Sequence, residues 1–218
     1  MNYTQLSNAI QAYTENTEAD FVAEIPVFVQ QAEQRIYNSV QFPSLRKNVT
    51  GSTSANNKYL GCPNDFLAVY SIAVIDGTGA YEYLLNKDVN FIRQAYPIPT
   101  DTGLPRYYAL FGAQSNDVNE LTFILGPTPD ATYGVELHYY YYPESIVTAS
   151  TTWLGDNFDS VLLYASLVEA YTYMKGEQDM MQLYNQKFME ALALAKRLGD
   201  GMERQDAYRS GQFRQKVT

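Results

Sequence analysis

Residues 135–174 read VELHYYYYPESIVTASTTWLGDNFDSVLLYASLVEAYTYM, and two different periodicities meet inside them. From Val135 to Tyr142 the order VELHYYYY alternates across the two faces of a strand, with His138 on the face of Tyr140 and Tyr142. From Phe158 to Met174 the apolar positions Val161, Leu162, Ala165, Leu167, Val168, Tyr171 and Met174 run almost all round a helical wheel. A helix without a polar face must be surrounded, so this one is expected to be the most buried in the chain. Asn157 or Asp156 can cap it.

Downstream, Gly176 separates this helix from a second, Asp179 to Leu198. Its residues Leu183, Tyr184, Phe188, Ala191, Leu192 and Ala195 point inward, and Lys196 and Arg197 sit at the end favoured by the helix dipole. Gly199 and Gly201 are expected to end it. Upstream lie short β-like runs: Leu45 to Thr53, Lys58 to Gly61, Leu67 to Ile75, Tyr81 to Leu85, Arg106 to Phe111, Val118 to Leu125 and Val135 to Tyr142. Asn56-Asn57, Asp76-Gly77-Thr78-Gly79 and Gly126-Pro127 supply the turns between them. One inserted helix, Lys87 to Ala95, opens at Asn86, puts Val89, Ile92 and Ala95 on one face, and precedes a loop with Pro97, Pro99 and Pro105. At the start, Leu6, Ala9, Ile10 and Tyr13 mark a helix over Tyr3 to Tyr13. Thr17, Glu18 and Asp20 then open a run in which Phe21, Ile25, Phe28, Val29, Ala32, Ile36 and Val40 keep the helical period. Because proline breaks helix interiors, Pro26 predicts a short turn at 17–24 and a fresh helix from Pro26 to Asn38.

The fold class that follows is α+β: a helical bundle formed by the N- and C-terminal helices, a central antiparallel β domain, and an extended C-terminal tail. The expected divisions are 1–42 for the N-terminal helices, 43–150 for the β domain with its inserted helix, 151–201 for the helix hairpin and 202–218 for the tail.

Composition narrows the function. Of 218 residues 46% are hydrophobic and 18% charged, enough apolar material for a packed core and too much for a disordered chain. One cysteine, Cys62, and one histidine, His138, exclude a disulfide framework and a Cys/His zinc site, so neither metal nor other cofactor is expected. No long apolar run points to a membrane, and a soluble protein made in the cytoplasm is expected. A net charge of −9 argues against a sequence-reading DNA binder. The charge is uneven: Arg204, Arg209, Arg214 and Lys216 against Asp206 make residues 204–218 +3, and the rest of the chain −12.

No constellation of residues announces catalysis. His138 lies within a strand with no nucleophile motif beside it and reads as a residue bonded to a neighbour. Cys62, before Pro63, reads as a packed small residue. Carboxylates such as Glu18 and Asp20, or Asp156 and Asp159, sit at helix starts where the dipole explains them, and the glycines form no phosphate-cradling loop. An enzyme is therefore not expected. What remains is aromatic surface. Twenty tyrosines, among them Tyr81, Tyr83, Tyr107, Tyr108, Tyr139, Tyr140, Tyr141 and Tyr142, exceed what one core face absorbs. They serve either a partner or subunit interface, where tyrosine is favoured, or simply the cover of a small sandwich. The tail alternates Arg204, Arg209 and Arg214 with Tyr208 and Phe213, and is either a frayed terminus or an arm that orders in a partner's groove.

Several stretches together resemble a known family: TENTEADFVAEIPVFVQQAEQRIY, PNDFLAVYSIAVIDGTG, ILGPTPDATYGVELHYYYYP, WLGDNFDSVLLYASLVEAYTYMKGE and the DAYRSGQ of the tail. The chain is similar to the head-to-tail adaptor (connector) proteins of tailed bacteriophages, the group that includes tail tubular protein A. The resemblance implies a homo-oligomeric ring of twelve in the virion neck, assembled in the host cytoplasm, between the portal protein and the tail nozzle protein. It also implies that genomic DNA passes through the lumen without specific binding. On that basis Arg204, Tyr208, Arg209, Phe213, Arg214 and Lys216 are the portal-contact candidates, and Tyr107, Tyr108 and Tyr139 to Tyr142 the candidates for nozzle or subunit contact. Twelve copies would carry roughly −108, which would repel phosphates and let DNA slide. A different class of function, a glycan-binding or cell-wall-hydrolysing tail component, would instead stack sugars on the tyrosine strand and use a carboxylate pair.

Overall fold

A computed structural model describes residues 1–40, 42–98, 100–112 and 121–203. The elements are α1 (Tyr3–Thr14), α2 (Ala19–Ser39), β1 (Arg46–Ser52), β2 (Tyr59–Gly61), β3 (Ala68–Ile75), β4 (Tyr81–Tyr83), β5 (Leu85–Asn86), α3 (Val89–Ala95), β6 (Tyr107–Phe111), β7 (Thr122–Gly126), β8 (Gly134–Tyr140), α4 (Ile146–Ala149), α5 (Trp153–Asn157), α6 (Asp159–Met174) and α7 (Gln178–Glu203). They form two compact units, one from both ends of the chain, up to Leu45 and from Tyr142, and one from Arg46–Tyr141. The class is α+β, a helical bundle closed by the two ends of the chain around a β insertion.

In the helical unit α6 is central, with α1, α2, α5 and α7 packed on it. Its lack of a polar face is the cause: Val161, Leu162, Leu163, Ala165, Leu167, Val168 and Ala170 are all buried, each large aliphatic contributing about 1.5–3 kcal/mol. Arg35 of α2 pairs with Glu169 of α6 at 3.0 Å and lies 6.0 Å over the Phe188 ring of α7, joining three helices. Asn2 and Gln5 cap α1 reciprocally, the Asn2 side chain accepting from the Gln5 N–H at 2.9 Å and the Gln5 side chain from the Asn2 N–H at 3.0 Å. Phe42, Trp153 and Phe158 cluster at centroid distances of 5.0 to 5.5 Å. Gly176 follows the left-handed Lys175 at the end of α6, and a Cβ there would meet the Tyr171 ring at 2.5 Å. That close approach requires a glycine.

Several local expectations are corrected. Pro26 does not break its helix: α2 runs unbroken from Ala19 to Ser39 with the proline inside. The apolar stripe Phe21, Ile25, Phe28, Val29, Ala32, Ile36 continues across it, and the Val22 carbonyl that loses its donor is only partly buried, where water can serve it. Gly199 and Gly201 do not stop α7, which continues to Glu203, since a helical glycine costs only about 1 kcal/mol and Gly199 is itself buried. Asp156 and Asn157 belong to the short helix α5, and α6 starts at Asp159 with Phe158 in the N-cap position and no side-chain cap. Asp88, rather than Asn86, caps α3, its carboxylate accepting from the Asn90 N–H at 2.7 Å. α4 and α5 were not expected at all. Ser145 and Thr152 cap them, each accepting a backbone N–H at 3.2 Å.

The β unit is a sandwich of two four-stranded sheets, ordered β1-β8-β3-β4 and β2-β7-β6-β5. All pairs are antiparallel except the two-residue contact of β5 with β6. Phe66, Ile72, Val74, Val135, Leu137 and Tyr139 face Tyr108, Phe123 and Leu125 across the interior. β7 is buried along its whole length, because Phe123 and Leu125 point into the sandwich while Ile124 packs under α3 with Ile92 and Ala109. The β3–β4 turn is held by Asp76, which accepts from the Thr78 N–H at 2.8 Å and the Ala80 N–H at 2.9 Å, with Gly79 at φ +88°. The expected strand start at Val118 lies outside the described residues, and β7 begins at Thr122.

Candidate functional site

The six predicted interface tyrosines do not share one surface. Tyr108 and Tyr139 are 7% and 1% exposed and belong to the sandwich core. Tyr107 packs beneath α3 with its ring 5.5 Å from Phe91. Tyr140 faces outward on the first sheet, 6.0 Å from Tyr70, and Tyr141 packs at the edge of the core beside Lys47, whose Nζ is 5.2 Å from the ring. Tyr142 lies in the helical unit, donating to Asn38 Oδ1 and stacking on Tyr37 at 6.4 Å. The portal-contact candidates Arg204, Tyr208, Arg209, Phe213, Arg214 and Lys216 lie outside the described residues.

The outward face of the first sheet is built by register. Arg46, Asn48 and Thr50 of β1 stand opposite Tyr140, His138 and Glu136 of β8. A bulge between Val69 and Ser71 turns Tyr70 onto the same face, where Arg46 lies 4.4 Å over its ring and 5.6 Å over that of Tyr140. Tyr81 and Tyr83 of β4 are 50% and 66% exposed. His138 fulfils its expected role: its Nε2 is 3.3 Å from Glu136 Oε1, which also accepts from Asn48 at 2.8 Å. The amide and the imidazole together hold the Glu136 carboxyl below its ordinary pKa.

One polar network reaches the core. Asp65 accepts from the Tyr139 hydroxyl at 2.8 Å and pairs with Lys47 at 2.7 Å. Burial alone would raise the Asp65 pKa, but the bonds from Lys47 and Tyr139 hold it below normal, while Lys47 and Tyr139 are both pushed up. Every shift keeps its proton where it already is at neutral pH, so the network clamps β1 to the loop at Asp65 and is unsuited to proton transfer. Cys62 is buried in the sandwich beside an apolar cleft of about 320 Å³ that opens between the edges of β1 and β2, lined by Val49, Leu60, Pro63, Phe123 and Val135. Among the described residues no group of His, Cys, Asp and Glu side chains could hold a metal, and no helix is long and apolar enough to cross a membrane.

Sequence reasoning missed the surface around α3. Phe91, Leu110 and Phe111 are each 42% exposed and Leu85 60%. The available signal was the position of Phe91, adjacent to Ile92 and so off the Val89–Ile92–Ala95 face of a short helix.

The described chain is thus a β sandwich with exposed aromatic rings and a helical bundle made from both chain ends. A family model described as SU10 adaptor protein matches residues 1–215. The chain belongs to the SU10 adaptor family. As a phage head-tail adaptor it has a structural role in the virion neck, in association with portal and tail components. The family match covers both units and extends past α7 into the basic tail. No curated protein matches the chain.

Proposed function

We propose that the protein forms the adaptor ring that joins the portal vertex to the tail nozzle and contributes part of the DNA passage channel. The observation that carries this reading is the family match over residues 1–215, which takes in the arginine- and aromatic-bearing tail as well as both folded units. The tail, through Arg204, Tyr208, Arg209, Phe213, Arg214 and Lys216, is the portal arm: guanidinium groups pair with carboxylates in a groove while the two rings anchor. The β unit meets the nozzle or neighbouring copies through the rings left accessible on its two sheets, Tyr140 on the outer face of the first and Tyr107 beside α3 on the second, with Tyr141 at the edge of the core and Tyr108 and Tyr139 fixing the sheets beneath. The ring is homo-oligomeric, twelve copies being the number implied by the resemblance, and each copy presents two different complementary faces. Acidic bodies along the lumen repel the duplex, so DNA passes without specific binding.

Deletion of residues 204–218 tests the central element. Co-sedimentation with purified portal rings should be lost while the helical circular dichroism signal stays. Undiminished portal binding by the truncated chain removes the tail from the mechanism. Tight binding of duplex DNA by the assembled ring at physiological salt would sink the acidic-lumen element.

A further inference from the structure

Between α3 and the β2–β7 pair lies a pocket of about 300 Å³ lined by Lys58, Arg93, Tyr96, Ile92, Ile124 and Leu125, among others. Its chemistry is unusual for a chain of net charge −9. Among the described residues neither Lys58 nor Arg93 forms an ion pair with a carboxylate, which leaves both cations open to an anion from outside. Each sits over a ring instead: Lys58 Nζ is 5.4 Å from the Tyr59 centroid and the Arg93 guanidinium 5.7 Å from that of Phe111. A third such pair, Lys87 over Phe91 at 5.3 Å, lies at the start of α3. A cation resting on an aromatic face keeps its charge and its outward donors while losing rotamer freedom, which prepares it to receive an anion. The floor is apolar and closed, with Ile92, Ile124 and Leu125 at most 3% exposed.

We propose that this pocket receives a glutamate side chain from an acidic segment of another virion protein, with Lys58 and Arg93 holding the carboxylate and Tyr96 and Pro97 on the wall beside it. That the partner is a virion protein rests on the adaptor reading; the chemistry of the pocket does not. A carboxylate on a methylene stem fits both the paired cations and the apolar floor. A nucleic-acid phosphate would bring a line of further negative charges against an acidic body.

The test titrates the full chain with the blocked peptide Gly-Glu-Glu-Tyr-Gly, its glutamine counterpart, inorganic phosphate and a short DNA duplex, followed by amide and arginine side-chain NMR. The glutamate peptide should move the amides of Ile92 and Thr128 and the Arg93 Nε–H, and the glutamine peptide should bind about tenfold more weakly. Lys58→Gln and Arg93→Gln should each weaken glutamate-peptide binding severalfold and their combination more than tenfold, with unchanged circular dichroism. Absence of shifts at these positions, equal binding of the glutamine peptide, indifference to both substitutions, or tighter occupation by phosphate or DNA overturns the proposal. Portal binding through the tail is read in a separate assay, so either reading can fail without the other.

Discussion

Glu33 offers the sharpest test of how the helical unit is held. It lies on α2, 3% exposed, and its Oε1 accepts the backbone N–H of Ile146, a fully buried residue, at 2.9 Å. Burial pushes its pKa up, while the Ser145 hydroxyl and the Ile146 N–H pull it back down. Glu33→Ala leaves the Ile146 donor without a partner in the interior, at a cost of about 1–3 kcal/mol for the unsatisfied group alone. At about 2–4 °C per kcal/mol for a chain of this size, the melting transition followed at 222 nm should fall by roughly 2–12 °C. Glu33→Gln keeps an acceptor and removes the charge that burial disfavours, so at neutral pH it should stay within about 1 kcal/mol of the parent. The pH dependence has a definite sign. A carboxyl whose folded pKa is raised gives a contribution that is full below the ordinary glutamate value and is lost as pH rises through the raised one. The glutamine variant should therefore gain on the parent as pH increases. An alanine variant indistinguishable from the parent, or a glutamine variant as damaged as the alanine one, refutes the assignment of Glu33 as the acceptor that fixes α4.

Gly126→Ala places a Cβ 3.0 Å from Ile92 Cγ2 and 3.1 Å from the Tyr96 ring, and should destabilise the β unit by about 1–3 kcal/mol in urea titrations; an unchanged midpoint would show that α3 yields freely. Asp65 has a depressed folded pKa, so its stabilisation is present above the ordinary aspartate value of about 3.9 and is lost as pH falls through the depressed one. The stability difference between the parent and Asp65→Asn should be flat near neutrality and shrink in acid, and a difference that survives undiminished at pH ~2 contradicts the Lys47–Asp65–Tyr139 clamp. Burial and a hydrogen bond with Tyr171 push the Tyr184 pKa up to about 12. In a spectrophotometric titration of the folded protein, Tyr184→Phe should leave the absorbance step near pH ~10 at its parental amplitude. A missing tyrosine in that step would place Tyr184 in solvent.

The legible part of the fold was the part in which periodicity and burial agree. α6 could be placed because an all-round apolar helix has one stable location, and β8 because alternation put Val135, Leu137 and Tyr139 on one face and Glu136, His138 and Tyr140 on the other. Reading failed where tertiary packing outweighed a local preference of a few kcal/mol, as at Pro26 in α2, and where the local cost was too small to end a helix, as at Gly199 and Gly201 in α7. It also failed where an element is too short to show a period, as in α4 and α5. The candidate site was less legible still. Counting tyrosines located the aromatic strands but could not say which rings the second sheet would cover, and Tyr108 and Tyr139 turned out to be core. Tyr70 and Ser71 both lie on the outer side because a bulge interrupts the alternation of β3, a feature of strand register that a single strand's sequence does not carry.

Because α2 ends before the β unit and its main partner α6 begins after it, the order of synthesis matters. At about 5–20 residues per second, a ribosome takes on the order of 5–20 s to make Arg46–Tyr141. Throughout that interval Phe21, Ile25, Phe28 and Ile36 have no α6 to cover them, and the sandwich itself cannot close until β8, the strand that joins β1 to β3, is made at its end. The nascent chain thus carries an uncovered apolar helix, and holdase chaperones would find it there.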